Sequence, residues 1–132
     1  MIITRNDHQR LLELIETPSV KIKMPLLIDK LSSGLRNARL LPQDEIRKNI
    51  VTMNSRVKLR DVISGREADI TVTYPDEADP GNRRVSVLSE IGVALLGKKE
   101  GDVVSWNVPR GVGRFQIVAV VYQPEAAGNF AV

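Results

Sequence analysis

The fold is decided by the stretch SEIGVALLGKKEGD at residues 89–102. Ser89 suits the N-cap of a short helix, because its hydroxyl can accept a hydrogen bond from a backbone N–H of the first turn. Apolar residues follow at i, i+3 and i+4 from Ile91, and Gly97 suits the left-handed position that closes a helix. A helix of about two turns is not stable alone in water, so it must lie on an apolar surface. The stretch therefore predicts a short helix packed on a sheet, with Ser89 and Glu90 at an exposed entrance where binding residues tend to lie.

The sequence on either side of this helix predicts the sheet. Apolar and polar residues alternate, as expected for half-buried strands, and Ser64-Gly65 predicts the turn of an antiparallel hairpin. The fifth strand is almost continuously apolar, which indicates an internal position covered on both faces. The five predicted strands are 56–60, 68–73, 85–87, 102–108 and 115–122.

Two helices are predicted before the sheet. The first spans residues 4–16, with Thr4, Asn6 or Asp7 as its cap, and Pro18 ends it. The second begins near Pro25 and is stopped by Pro42, which makes it about 25 Å long. Its apolar residues follow the 4-3-4-3 spacing of a narrow coiled-coil seam; they are Met24, Ile28, Leu31, Leu35 and Ala38.

These elements predict an α+β protein with two domains. Residues 1–45 are expected to form a short antiparallel coiled-coil hairpin, because two consecutive amphipathic helices with a short connector pack in that way. The connector contains Lys21 and Lys23. Residues 46–132 are expected to form the sheet domain.

Composition excludes several classes of site. The chain has 132 residues and no cysteine, so it has no disulfide, zinc–thiolate site or thiol nucleophile, which fits a reducing cytoplasm. No apolar run approaches 18 residues, so we expect no membrane partner. The net charge of +3 lies in residues 1–49, without a dense basic stripe and with few aromatic residues, which argues against sequence-specific nucleic-acid binding.

Catalytic groups are scarce. His8 is the only histidine and has no partner group in sight, so no catalytic triad can be defined. Glu13 and Glu16 share a helix face and could hold Mg²⁺. The acidic loop at residues 76–79 could also hold a metal, but it suits a charged partner surface better. We expect no catalytic residue, no metal and no cofactor.

An ordered set of motifs resembles the C-terminal domain of the GreA/GreB transcript-cleavage factors. The set consists of DEAD at 76–79, VSV at 85–87, SEIG at 89–92, ALLGK at 94–98 and GD at 101–102. Two further segments, 51–57 and 122–128, resemble those of the Rnk branch of that family, the regulators of nucleoside diphosphate kinase.

The resemblance implies an FKBP-like antiparallel sheet domain with one short helix, preceded by a short coiled coil. It also implies RNA polymerase as the partner, with the sheet domain near the mouth of the secondary channel. Gre factors hold a catalytic Mg²⁺ on acidic residues at the coiled-coil tip, where this chain offers Lys21 and Lys23 on a short arm. We therefore expect a non-enzymatic cytoplasmic regulator that competes with Gre-type factors without stimulating transcript cleavage.

The family places its docking surface on the acidic loop and at the start of the short helix. The residues expected to bind polymerase are Asp76, Glu77, Asp79, Ser89, Glu90 and Ile91. Glu90 stands where Gre factors usually have proline, so affinity or orientation could differ. The oligomeric state is open, with a monomer as the working expectation. Two alternatives are an active cleavage factor using Glu13 and Glu16, and an FKBP-like isomerase or chaperone module.

Overall fold

A computed structural model describes residues 1–109 and 111–129, apart from the side chains of residues 20–22. The first half contains β1 (Ile2–Thr4), α1 (Arg5–Ile15), α2 (Pro18–Lys23), α3 (Pro25–Arg36), β2 (Arg39–Leu41) and β3 (Arg56–Asp61). The second half contains β4 (Glu67–Thr73), 3-10 turns at Pro75–Glu77 and Pro80–Asn82, β5 (Arg84–Ser86), α4 (Glu90–Leu95), β6 (Val103–Val108) and β7 (Gly111–Tyr122). The predicted α+β class is confirmed.

The helical segment differs from its prediction at two places. Helix α3 ends at Arg36 rather than near Pro42, because residues 39–41 leave the helix and pair in parallel with β1. The connector is itself helical as α2, and Lys23 is exposed, whereas the side chain of Lys21 lies outside the described residues. The coiled-coil character of the hairpin stays a prediction.

The apolar faces of α1 and α3 are buried as the spacing indicates. Thr4 caps α1 by accepting a hydrogen bond from the Asp7 N–H at 3.1 Å, which decides among the three predicted caps. The buried residues of the two helices, Leu11, Ile15, Ile28, Leu31 and Leu35, belong to one hydrophobic cluster with Val57, Val72, Leu95 and Ile117 of the sheet unit. The two predicted domains therefore share a core.

The main sheet has the strand order β5-β4-β3-β7-β6. Its neighbours are antiparallel except β4 and β5, which run parallel, so the prediction of a purely antiparallel sheet is wrong. The parallel pair is possible because residues 74–83, which contain the acidic residues 76–79, form a long connection between the two strands. This connection returns the chain to the start of the sheet edge, so that β5 runs in the same direction as β4.

Strand β7 has the predicted internal position, and its neighbours are β3 and β6. Only the face that carries Phe115, Ile117 and Val120 packs on the core. Its apolar run comes from two shifts in register with β3, which leave Val118 and Val121 without a partner and break the alternation. Arg56, Lys58 and Arg60 of β3 point away from the core on the open face. No helix among the described residues has the length and apolarity needed to cross a bilayer.

Candidate functional site

The acidic loop between β4 and β5 is held by Arg84. Arg84 and Asp79 exchange backbone hydrogen bonds of 2.8 and 3.0 Å, which closes the loop at its base. The Arg84 Nε donates to the Glu77 carbonyl oxygen at 3.2 Å, and its guanidinium lies 3.7 Å from the Glu77 carboxylate. The Asp79 carboxylate accepts from the Asn82 side-chain amide at 2.6 Å.

The carboxylates of this loop therefore differ in whether they are available to a partner protein. Asp79 is engaged inside the loop and Glu77 is paired with Arg84 at its edge. Asp76 is exposed and makes no hydrogen bond or ion pair with the described part of the chain. Asp76 and the exposed part of Glu77 are thus the charges that this loop offers to a partner.

The second part of the site is the start of α4, where Ser89 acts as the predicted N-cap. The Ser89 hydroxyl accepts from the Gly92 N–H at 3.0 Å and donates to the Ser86 carbonyl oxygen at 2.6 Å. One side chain therefore both caps the helix and ties it to the end of β5. Gly97 has a φ of 77°, which confirms the left-handed closure of the helix.

Glu90 is held by the neighbouring strand. Its carboxylate accepts from the Asn107 backbone N–H at 3.1 Å and lies 3.5 Å from the Asn107 amide nitrogen. A proline at position 90 could not make these contacts, so Glu90 ties α4 to β6 in this chain. Ile91 is only half exposed and packs against the hydrophobic core, which gives it a structural contribution as well.

Strand β5 brings the two groups of predicted site residues to the same edge of the sheet. Arg84 at its beginning holds the acidic loop, and Ser86 at its end holds the cap of α4. At about 3.3 Å per residue, these two anchors lie about 7 Å apart. We call this surface the β5 edge; it comprises Asp76, Glu77, Asp79, Ser89, Glu90 and Ile91.

Sequence reasoning missed the residues that position the β5 edge. Arg84 and Asn107 belong to strands and carry no motif, so nothing local distinguishes them from other surface polar residues. The Asp79–Arg84 pairing had one available signal, since prolines at 75 and 80 bracket the loop and restrict its backbone. The partner of Glu90 lies 17 residues away and had no signal.

A buried polar cluster, also missed, joins α1 to the sheet unit. The Asp7 carboxylate accepts from the Met53 N–H at 3.1 Å and from the Tyr74 hydroxyl at 3.4 Å. The Arg10 guanidinium lies 4.0 Å from the centre of the Tyr74 ring. Glu125 completes the cluster at 9% exposure, accepting from the Thr52 hydroxyl at 2.7 Å.

Burial controls the ionisation of this cluster. Desolvation raises the pKa of Asp7 from 3.8 to about 6, and the nearby Glu125 charge adds to the rise, whereas the hydrogen bond from Met53 opposes it. Burial, together with the Asp7 charge, also raises the pKa of Tyr74, so the phenol stays neutral. The cluster serves to hold α1 against the sheet rather than to present charge to solvent.

The other sequence candidates are not assembled into a reactive site. Glu13 is exposed on α1, and Glu16 is exposed at the position that caps the C-terminus of that helix. The imidazole Nε2 of His8 donates to the Leu35 carbonyl oxygen at 3.1 Å and so links α1 to α3. Over the described ranges, the structure has no group of three His, Cys, Asp or Glu placed to hold a metal ion.

Comparison with known proteins fits this arrangement. The family model described as "Transcription elongation factor, GreA/GreB, C-term" matches residues 46–122. The chain belongs to the GreA/GreB family. The match contains the whole β5 edge together with β3, β4, β6 and β7.

Individual relatives are similar to this chain over most of its length. The Escherichia coli (strain K12) protein named regulator of nucleoside diphosphate kinase is 36% identical over 131 residues, 98% of this chain and 95% of that protein. Transcription elongation factor GreA of Clostridium beijerinckii is 40% identical over 93 residues, 70% of this chain and 58% of that factor. A solved GreA/GreB elongation factor from Nitrosomonas europaea has a TM-score of 0.80 at 36% identity, covering 92% of this chain and 98% of that one.

Proposed function

We propose that this protein is a non-enzymatic transcription regulator that binds bacterial RNA polymerase near its secondary channel through the β5 edge. It would compete there with Gre-type factors without stimulating transcript cleavage, and also regulate nucleoside diphosphate kinase. The observation that carries the proposal is the 36% identity to the E. coli regulator across 98% of the chain, helical segment included. The family membership supports polymerase as the partner, because the related proteins are named transcription elongation factors.

The geometry of the β5 edge supports docking. Asp76 and Glu77 present carboxylates to solvent on a loop that Arg84 holds at its base. A charge on a fixed loop can steer a partner and set its orientation, because little conformational entropy is lost on binding. The remaining residues of the edge, Asp79, Ser89, Glu90 and Ile91, would act by positioning the loop and α4.

The absence of cleavage activity is proposed from the dimensions of the helices. At about 1.5 Å per residue, α1 and α3 are only about 16 and 18 Å long. Catalytic groups contribute only when they reach the reacting atoms within contact distance. We propose that residues 1–45 form a stubby coiled coil, and residues 46–132 the docking domain, so that the arm delivers no carboxylate to a distant active centre.

A pull-down with purified core polymerase tests the docking surface. The double variant Asp76→Lys, Glu77→Lys reverses two exposed charges without touching the core, and we expect at least tenfold weaker retention. The matched control Asp44→Lys, Glu13→Lys reverses two exposed carboxylates elsewhere and should bind as the parent protein does. Equal retention of both variants would exclude the β5 edge as the docking surface.

Substitutions at Ser89 or Ile91 are a poorer test. Ser89→Arg removes the cap of α4 and its tie to Ser86, and Ile91→Arg places a charge against the core. Loss of polymerase binding in such a variant would not separate docking from unfolding. Charge reversal at Asp76 and Glu77 avoids this ambiguity.

The isomerase alternative can be compared with one cavity of the structure. We propose that the sheet domain is FKBP-like. Trp106, whose ring centre lies 4.1 Å from that of the stacked Phe115 ring, lines a cavity of about 260 Å³ beside α4. That volume is below the range of about 300–1,000 Å³ common for ligand pockets, which disfavours a peptide site. A proline-peptide isomerisation assay with the parent protein and Trp106→Leu decides this alternative.

A further inference from the structure

A second cavity lies where the β1–β2 pair meets the sheet unit, away from the β5 edge. The Ile2 N–H donates to the Gly97 carbonyl oxygen at 3.2 Å, and the Val51 N–H donates to the Lys98 carbonyl oxygen at 2.8 Å. Four backbone segments therefore lie side by side: β2, β1, residues 97–99 and residues 50–51. A cavity of about 500 Å³ is lined in part by residues of these four segments.

Three cationic side chains line this cavity. Arg39 lies opposite Ile2 in the β1–β2 pair, Lys99 lies opposite Ile50 in an isolated bridge, and Arg47 belongs to the preceding turn. None of the three forms an ion pair or a side-chain hydrogen bond within the part of the chain that the structure describes.

Two arginines elsewhere on the surface are held by carboxylates. Arg56 and Arg60 on the open face of the sheet are paired with Asp69 and Glu67 at 2.9 and 2.8 Å. The three cations of the cavity have no such carboxylate partner among the described residues, so their charges are available to an anion. Like charges facing one concave surface repel each other, so an anion between them would be bound favourably.

The other residues that line the cavity could contact an organic part of a ligand as well as its charge. Ile2, Leu41 and Ile50 contribute apolar surface. Glu45 is the one carboxylate among the described lining residues, and the Oδ1 of Asn49 is buried without a hydrogen-bond partner. A buried polar atom without a partner is costly, and these two groups could accept hydrogen bonds from hydroxyl or amino groups of a ligand.

We propose that this cavity binds an organic phosphate of nucleotide size, with its phosphates among Arg39, Arg47 and Lys99. A phosphate group matches the cations, and arginine binds it in a bidentate manner. A sugar or ring would cover the apolar surface and offer donors to Glu45 and Asn49. The volume of about 500 Å³ falls within the range of small-molecule sites.

The site is fixed from behind by the side-chain amide of Gln123. It donates to the carbonyl oxygens of Arg47 and Ile50 at 2.8 and 2.7 Å, so the turn that carries Arg47 and Asn49 is held in place. A preorganised turn binds its ligand with less loss of entropy. The proposal does not rest on polymerase binding, since none of these residues belongs to the β5 edge.

Isothermal titration of the full chain at low salt tests the proposal, with ADP and GDP as probes. Pyrophosphate and adenosine serve as comparisons that carry only the charge or only the ring and sugar. We expect a nucleoside diphosphate to bind at least tenfold more tightly than either. Binding should weaken as salt is added, because the cations are exposed at the cavity mouth.

Neighbouring cations in the chain provide matched controls. Arg47→Gln and Lys99→Gln should each weaken ADP binding about tenfold, the scale of one charge-assisted hydrogen bond. Lys48→Gln and Lys98→Gln remove the same charge one residue away, outside the cavity, and should change binding less than twofold. Four equal losses, equal binding of pyrophosphate and ADP, or no binding at millimolar nucleotide would each overturn the proposal. An acidic peptide that displaces ADP with equal affinity would also overturn it.

Discussion

Replacing Asp7 with asparagine should stabilise this protein at neutral pH. The Asp7 side chain is 3% exposed, and burial raises its pKa from 3.8 to about 6. Because the folded state binds a proton more tightly than the unfolded state, the folded state is favoured most below pH 3.8. That advantage is lost as the pH rises through about 6.

The magnitude follows from the size of the pKa shift. A shift of about two units corresponds to about 3 kcal/mol of unfolding free energy, and about 2 kcal/mol of it should be lost between pH 4.5 and pH 8. Asparagine keeps the acceptor for the Met53 N–H, and its amide can donate to the Tyr74 hydroxyl oxygen, while the ionisation is removed. The variant should therefore be more stable than the parent at pH 8 by about 2–3 kcal/mol.

Urea unfolding at pH 4.5, 5.5, 6.5 and 8 measures this effect. The difference in unfolding free energy between Asp7→Asn and the parent should widen steadily with pH. Asp44→Asn, a change at an exposed carboxylate, is the matched control and should leave the pH profile of the parent unaltered. Parallel profiles for Asp7→Asn and the parent, or a less stable variant at pH 8, would show that ionised Asp7 does not destabilise the fold.

Three further predictions concern the β5 edge and the helix α4 beside it. Gly92→Ala should destabilise the fold by about 1–3 kcal/mol in urea unfolding, because a Cβ would overlap the Ser86 carbonyl oxygen and lie 2.7 Å from the Val87 Cα; an unchanged midpoint would contradict this. Ser89→Ala should cost about 1–2 kcal/mol by the same assay, since it removes both the cap and the bond to Ser86, whereas Ser89→Thr should recover most of it. Asp76→Ala should leave the thermal midpoint of unfolding within about 1 °C of that of the parent, because the exposed Asp76 side chain makes no hydrogen bond or ion pair with the described residues.

Local patterns were sufficient to predict most of the sheet and the short helix. The alternation in β3 predicted which side chains face the core, because a strand has a period of two. In β4 the alternation failed at Thr73, which is fully buried. The α4 boundaries followed from Ser89 and Gly97, because a serine before and a glycine after a short apolar-periodic run are typical of helix ends. The apolar run of β7 was misinterpreted as two covered faces, because the bulges depend on register with β3 and leave no local pattern.

Long-range contacts explain what could not be predicted. Strands β1 and β2 have three residues each and pair across more than thirty positions, so neither has a recognisable periodicity. Asp7 looked like a helix cap, but its carboxylate binds Met53, 46 positions along the chain. The site residues themselves stay a prediction. The residues that hold them in place were missed, because Arg84 and Asn107 act only through tertiary contacts.

We propose that this protein occupies the Gre site on polymerase without stimulating transcript cleavage. The most direct test of this proposal is transcript shortening in backtracked elongation complexes, measured with the protein alone and in competition with GreA. We expect no shortening by the protein alone at saturating concentration, and a progressive loss of GreA-stimulated shortening as the protein is added. Shortening by the protein alone, or GreA activity that persists undiminished at a large excess, would contradict it.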